Sequence, residues 1–133
     1  MKRIAILASG EGTNAENIIR YFSERKTAKV VVVITNKAQA GVLNRADKLG
    51  IPTEFIPAQD FTEGRALEVL HRYQTDFIAL AGFLLRVPDD ILHDYPNKIV
   101  NIHPALLPKF GGKGMYGNRV HFRPNTKAVF GET

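Results

Sequence analysis

The amino-acid sequence predicts an α/β protein in which an open, mainly parallel β-sheet carries helices on both faces. Short, continuous apolar runs alternate with segments whose apolar residues recur at the 3.6-residue period of a helix. Turns that contain Gly or Pro separate these segments, as expected where strands lead into crossover helices. Because the runs are apolar throughout, we expect both faces of the sheet to be covered and the crossovers to be right-handed.

The first half of the chain predicts three strands and two helices. The strands are residues 4–8, 29–35 and 53–56. A turn at residues 9–14 precedes the first helix, whose apolar face holds Ala15, Ile18, Ile19 and Phe22. The second helix ends at Gly50, and its apolar face holds Val42, Leu43, Ala46 and Leu49.

The second half predicts two more strands and two more helices. Asp60 or Thr62 caps a third helix, although Gly64 weakens its first turn; its apolar residues are Ala66, Leu67, Leu70 and Tyr73. Residues 77–81 form the fourth strand, residues 87–90 begin a helix with Pro88 at its first position, and residues 98–103 form the fifth strand. The order is therefore β-α-β-α-β-α-β-α-β.

Length and composition narrow the class of protein. A chain of 133 residues is sufficient for one domain. The sequence has no Cys, which excludes disulfides and thiolate chemistry and suits a reducing compartment. No apolar run approaches the ~18 residues that a membrane span needs. We expect a soluble, cytoplasmic protein that does not associate with membranes.

The formal net charge of +5 is concentrated in the C-terminal third. Six basic residues and one acidic residue follow position 96, whereas the two signs balance before it. This distribution argues against a protein that coats nucleic acid and favours a local site for an anionic small molecule. A solvated basic tail is the alternative.

Ligands of such sheets bind beyond the carboxyl ends of the strands, which selects residues 9–14, 82–87 and 101–113. In the first segment, Gly12, Thr13 and Asn14 can offer free backbone amides and a hydroxyl to a phosphate. The spacing matches neither the dinucleotide-binding glycine pattern nor a P-loop. An ordinary turn capped by Thr13 or Asn14 is the alternative.

Asn101 and His103 lie two residues apart on the last predicted strand, so both side chains face the same side. An amide can donate to a developing oxyanion, and an imidazole can move a proton near neutral pH. The pair suits attack of an amine on a carbonyl, and a capped strand end is the alternative. His71 and His93 are expected to be structural, and no histidine pair has the helical spacing of a metal site, so we predict no metal.

Four segments resemble one protein family. The sequence Asn-Ile-His-Pro-Ala-Leu-Leu-Pro at 101–108 is similar to the signature of the folate-dependent formyltransferases, and Leu-Ala-Gly-Phe at 80–83 is similar to their folate-side segment. Residues 9–14 and 109–117 resemble the branch that acts in de novo purine biosynthesis. The resemblance covers residues 1–121 as one α/β domain and implies a Rossmann-like formyltransferase fold that lacks its C-terminal strands; residues 122–133 are a non-matching tail.

The resemblance implies transfer of a formyl group from 10-formyltetrahydrofolate, the co-substrate, to the amine of glycinamide ribonucleotide. It assigns the ribonucleotide phosphate to Gly12, Thr13 and Asn14. It assigns folate binding to Arg65, Leu84, Leu85, Arg86, Val87 and Asn101. Asn101 would also stabilise the oxyanion, and His103 would handle the proton. The implied partners are these two small molecules, with neither nucleic acid nor membrane.

The tail departs from the family pattern, because no aspartate follows Asp94 to match the family's catalytic aspartate. We therefore expect a truncated transferase of impaired activity, whose exposed sheet edge favours self-association. A related folate formyltransferase or a formyltetrahydrofolate hydrolase is the alternative within enzymes. A non-catalytic fragment that binds phosphate or folate is the alternative of another class.

Overall fold

Strands and helices alternate along the chain in a computed structural model, which describes residues 1–102. The strands are β1 (Lys2–Leu7), β2 (Ala28–Thr35), β3 (Thr53–Phe55), β4 (Phe77–Leu80) and β5 (Ile99–Asn101). The helices are α1 (Thr13–Ser23), α2 (Gly41–Lys48), α3 (Ala58–Phe61), α4 (Arg65–Arg72) and α5 (Asp89–Asp94). The five predicted strands are all present, each within two residues of its expected bounds.

The five strands form one sheet in the order β3-β2-β1-β4-β5, and every neighbouring pair is parallel. The predicted parallel α/β architecture is therefore confirmed. The chain builds outward from β1 to β3 and then returns to place β4 on the other side of β1. The strand order thus switches between β1 and β4, which is where sheets of this kind open a crevice for ligands.

The register of the sheet brings the carboxyl ends of its central strands to the same level. Leu7 of β1 pairs with Ile34 of β2 on one side and with Leu80 of β4 on the other. Leu80 in turn pairs with Asn101, the last residue of β5. The turns that follow β1, β2 and β4 and the end of β5 therefore meet at one edge of the sheet, which we call the carboxyl edge.

The core lies on both faces of the sheet. Residues 4–8 are at most 2% exposed, as expected of a strand covered on both sides. Helix α1 buries the four apolar residues that its spacing predicts. Helix α2 buries Val42 and Ala46, whereas Leu43 and Leu49 are only partly buried because they lie at the margin of its apolar face.

The prediction of one continuous third helix is wrong at the start of that helix. Gly64 adopts a left-handed conformation (φ +89°), which interrupts the helix and divides it into α3 and α4. Asp60 consequently lies within α3, and Thr62 ends it. Pro88 is the residue that precedes α5 instead of its first helical residue.

Residues 1–102 contain neither a candidate membrane span nor a candidate metal-binding cluster. Across residues 1–102 no helix is both long enough and apolar enough to span a membrane. The same part of the chain contains no group of three or more His, Asp or Glu side chains placed to hold a metal ion.

Candidate functional site

The turn after β1 leads directly into α1 and depends on a glycine. Gly12 precedes the helix with a left-handed backbone (φ +88°), and a Cβ atom at this position would lie 2.6 Å from the Cα atom of Val42. No side chain caps α1, so neither Thr13 nor Asn14 has the capping role that we considered as an alternative. The first amides of α1 therefore have no side-chain acceptor and are available to an anion.

Helix α2 holds this turn from behind. The Val42 N–H donates to the carbonyl oxygen of Gly10 (3.0 Å), and the Arg45 Nε–H donates to that of Glu11 (2.7 Å). The Glu11 carboxylate packs on Gly41, because a Cβ atom there would lie 2.6 Å from Glu11 Oε1. These contacts occupy the carbonyl groups of the turn on the α2 side.

A pair of arginines surrounds one carboxylate behind the turn. Glu16 accepts hydrogen bonds from Arg20 (2.8 Å) and Arg45 (2.6 Å), and these contacts lower the pKa of the Glu16 carboxyl below its ordinary value of 4.5. Glu16 is thus ionised at neutral pH and neutralises part of the arginine charge. Arg45 thereby joins α2 to both α1 and the turn.

The turn after β4 faces the turn after β1. Gly82 is left-handed (φ +73°), and its carbonyl oxygen accepts a hydrogen bond from the Ser9 N–H (3.1 Å). Between the two turns lies a cavity of about 140 Å³, lined by residues 10–14 and by Ala81 and Gly82. The structure thus brings the three predicted phosphate-binding residues, Gly12, Thr13 and Asn14, together at the switch in strand order.

A larger cavity of about 480 Å³ lies between α1 and α2, away from the crevice between the turns after β1 and β4, which we call the carboxyl crevice. Its lining includes Glu16, Arg20 and Arg45, whose charges are already paired with one another. The smaller cavity is the better candidate because it combines uncapped amides with a position at the strand switch.

The predicted folate-side residues after β4 differ in exposure. Leu84 is 75% exposed, whereas Val87 is 1% exposed and belongs to the core, so its side chain is not available to a ligand. Leu85 is partly buried. Arg86 is exposed and forms an ion pair with Asp89 (3.0 Å).

Arg65, the remaining predicted folate contact, lies apart from this group. It is the exposed first residue of α4, 3.8 Å from the Asp60 carboxylate, and it lines a surface depression together with Glu63 and Glu68. It is not among the residues that line the cavity at the strand switch. Its surroundings are acidic, which does not favour binding of an anion.

Asn101 ends β5 at the carboxyl edge, as predicted. Its side chain is partly exposed, and the Ile102 N–H that follows it donates to the Leu80 carbonyl oxygen (2.9 Å). With β4 between β5 and β1, the end of β5 lies about 10 Å from that of β1, two strand spacings away. His103 lies outside the described residues, as do His121 and the tail at 122–133.

The sequence analysis missed two polar side chains that join the carboxyl-edge turns. Ser9, only 3% exposed, donates its hydroxyl proton to Asn36 Oδ1 (2.6 Å), and Asn36 directly follows β2. The Ser9 hydroxyl oxygen accepts from the Leu84 N–H (2.9 Å). The available signal was a polar residue immediately after each of two buried strands.

Fold and site together define a parallel α/β protein with a cavity between the uncapped first turn of a helix and the turn after an adjacent strand. The model of the family described as "Formyl transferase" matches residues 2–121. The chain belongs to the formyl transferase family, and the predicted family is confirmed.

Two relatives named phosphoribosylglycinamide formyltransferase are similar to most of this chain. The chloroplastic enzyme of Arabidopsis thaliana is 38% identical over 127 residues, which are 90% of this chain and 44% of the relative. The Bacillus subtilis enzyme is 35% identical over 135 residues, covering 97% of this chain and 68% of the relative. The chain thus spans less than half the length of the plant relative.

Solved structures are similar over the same region. Glycinamide ribonucleotide transformylase 1 from Symbiobacterium toebii superposes with a TM-score of 0.73 at 36% identity, covering 83% of this chain and 55% of that one. The phosphoribosylglycinamide formyltransferase of Brucella melitensis gives 0.73 at 32% identity, covering 86% and 67%. These similarities support the fold of the described part independently of sequence motifs.

Proposed function

We propose that the chain takes part in transfer of a formyl group from 10-formyltetrahydrofolate to the amine of glycinamide ribonucleotide, a step of de novo purine biosynthesis. The proposal rests chiefly on the cavity between the turns after β1 and β4, in a chain of the formyl transferase family. Its similarity to phosphoribosylglycinamide formyltransferases supports the choice of substrates.

The ribonucleotide phosphate binds at the start of α1. The amides of Thr13 and Asn14 lie at the positive end of an 11-residue helix without a side-chain cap, which suits a dianionic group. Gly12 lets the turn pack closely on α2, because a side chain there would collide with Val42. Glu11 does not oppose the phosphate strongly, because its carboxylate packs on the opposite side, against Gly41.

The formyl donor lies along the segment after β4. Leu84 offers an exposed apolar side chain, and Leu85 a partly buried one, in the segment that follows the cavity residues Ala81 and Gly82. Val87 contributes only through its backbone, and Arg86 has to leave Asp89 if it is to contact the donor. Arg65 contributes least, because acidic side chains surround it.

The chemistry requires a hydrogen-bond donor and a proton carrier near the formyl carbon. As the amine nitrogen forms its bond to that carbon, negative charge develops on the formyl oxygen, where the Asn101 amide can donate. His103 takes the proton that the amine loses and returns it to the folate nitrogen as the bond from that nitrogen to the formyl carbon breaks. We further propose that these 133 residues by themselves turn over slowly, because none of them matches the family's catalytic aspartate.

A single-turnover assay with the protein in excess tests the role of Asn101. Asn101→Ala should lower the rate of formyl transfer on the order of 10²-fold or more, because the oxyanion loses a donor. Asn17→Ala, on the exposed surface of α1, is the matched control and should transfer at the wild-type rate. Equal rates for Asn101→Ala and wild type would refute the assigned role.

Two measurements distinguish the alternative functions: which molecule accepts the formyl group, and whether the chain transfers it at all. Formate release in water without ribonucleotide would favour a formyltetrahydrofolate hydrolase, and transfer to a different amine would favour a related folate formyltransferase. A non-catalytic phosphate- or folate-binding fragment, the alternative of another class, would need the cavity but neither Asn101 nor His103. In that case His103→Ala would leave ligand affinity unchanged, and wild type would transfer no formyl group.

Three further expectations remain predictions. The family domain is expected at residues 1–121, with 122–133 as a tail. A cytoplasmic location is expected, although two plant relatives are chloroplastic. Self-association through a sheet edge would make the mass measured by light scattering rise with concentration, and a constant monomer mass would contradict it.

A further inference from the structure

The buried Ser9 joins the three turns that follow the central strands. Ser9 belongs to the turn after β1, its hydroxyl donates to Asn36 after β2, and the same oxygen accepts from the Leu84 N–H after β4. Its own N–H donates to the Gly82 carbonyl oxygen. Two of these three hydrogen bonds therefore join Ser9 to one segment, residues 82–84.

The directions of these hydrogen bonds are fixed by chemistry. A hydroxyl has a single proton, and here that proton points to the amide oxygen of Asn36 at 2.6 Å, so the oxygen lone pair is left to receive the Leu84 N–H at 2.9 Å. The left-handed backbone of Gly82 turns the chain so that Leu84 returns to Ser9. Asn36 thus orients the hydroxyl, and the hydroxyl fixes Leu84.

We propose that Ser9 is a positioning residue that fixes the segment after β4 relative to the anion-binding turn after β1. Ser9 is 3% exposed and is not among the residues that line the cavity. By holding the Leu84 backbone, it sets the position of the exposed Leu84 and the partly buried Leu85 in the segment that follows Gly82, which lines the cavity. The inference rests on the proposed function, because that segment is the folate side of the site.

Contacts from α2, and not the Ser9 hydroxyl, hold the anion-binding turn. Loss of the hydroxyl should therefore affect only the segment after β4. Val42 and Arg45 of α2 hold the carbonyl groups of Gly10 and Glu11, and neither contact involves the Ser9 hydroxyl. Removal of that hydroxyl should release the segment after β4 and leave the phosphate side in place. A purely structural role in the core would weaken both sides alike.

The test compares Ser9→Ala with wild type and with Ser23→Ala as the matched control. The Ser23 hydroxyl donates to the Arg20 carbonyl oxygen (2.7 Å) at the exposed end of α1, at the opposite edge of the sheet. The first readout is hydrogen exchange of the Leu84 amide. The second is the affinity for tetrahydrofolate and, separately, for glycinamide ribonucleotide, each measured by calorimetry.

Ser9→Ala should speed exchange at Leu84 by about tenfold and weaken tetrahydrofolate binding by roughly five- to tenfold, the usual effect of one lost hydrogen bond. Affinity for the ribonucleotide should stay within about twofold of wild type. Ser9→Thr, which keeps the hydroxyl, should restore most of the Leu84 protection. Asn36→Ala removes the acceptor that orients the hydroxyl and should speed exchange at Leu84 even if Ser9→Ala fails to fold.

Unchanged Leu84 exchange in Ser9→Ala and in Asn36→Ala would overturn the positioning role. Faster exchange with unchanged tetrahydrofolate affinity would overturn its link to the folate side. An equal loss of affinity for both ligands would overturn the selectivity and indicate a general structural role. If wild type binds neither ligand, the proposed function fails and the folate link with it, whereas the exchange data still decide whether Ser9 holds Leu84.

Discussion

Replacement of Gly12 by alanine tests whether the anion-binding turn has the geometry described. An L-residue in the left-handed region costs about 1–2 kcal/mol. The new Cβ atom would also lie 2.6 Å from the Cα, Cβ and Cγ2 atoms of Val42, so that α2 must move. Overpacking of this kind typically costs about 1–3 kcal/mol. Together the two effects should lower the free energy of unfolding by about 2–5 kcal/mol.

Denaturant unfolding of three Gly→Ala variants separates these effects. Gly50 also has a positive φ (+77°), but a Cβ atom there would meet open space. Gly50→Ala should therefore lower the free energy of unfolding only by the cost of the left-handed backbone, about 1–2 kcal/mol. Gly10→Ala has open space and no left-handed backbone, so it should stay within about 0.5 kcal/mol of wild type. If Gly12→Ala were as stable as Gly10→Ala, the close approach of the turn to α2 would be refuted.

Two further predictions concern titratable groups. Hydrogen bonds from Arg20, the larger effect, and from Arg45 hold the pKa of Glu16 below 4.5. The stabilisation by this carboxylate is therefore present above pH 4.5 and is lost as the pH falls through the lowered pKa. The stability of Glu16→Gln, measured by unfolding across acidic pH, should differ from that of wild type only above that range. Burial, followed by nearby carboxylates, raises the pKa of Tyr95 above 10, so stability should fall as the pH rises beyond 10, and less so in Tyr95→Phe. At neutral pH that variant should lose about 1–2 kcal/mol, because the carbonyl oxygen of Thr75 loses its buried donor, and an unchanged denaturation midpoint would contradict this.

The sheet could be predicted from sequence because its strands are buried on both faces. A run such as residues 77–80 has few alternatives to a core strand, and the glycines and prolines beside such runs mark the turns. The division of the third helix was harder to predict. Gly64 is compatible both with a weakened helix and with a left-handed break, and only packing decided between them.

The candidate site could be predicted in part. Gly12 and Asn101 follow from their place at strand ends, but the contacts of Ser9 do not, since its partners lie 27 and 75 residues away in the sequence. The exposure of neighbouring residues was equally hidden. Val87 is buried while Leu84 is exposed, and a sequence of apolar residues gives no sign of this difference.

The central claim is that the carboxyl crevice between β1 and β4 binds the ribonucleotide phosphate. The most direct test follows the backbone amide resonances of the 133-residue chain by NMR while glycinamide ribonucleotide is added. The largest shifts should occur at Gly12, Thr13 and Asn14, with smaller ones at Gly82. Shifts confined to the groove between α1 and α2, or no saturable shift at the start of α1, would contradict the account.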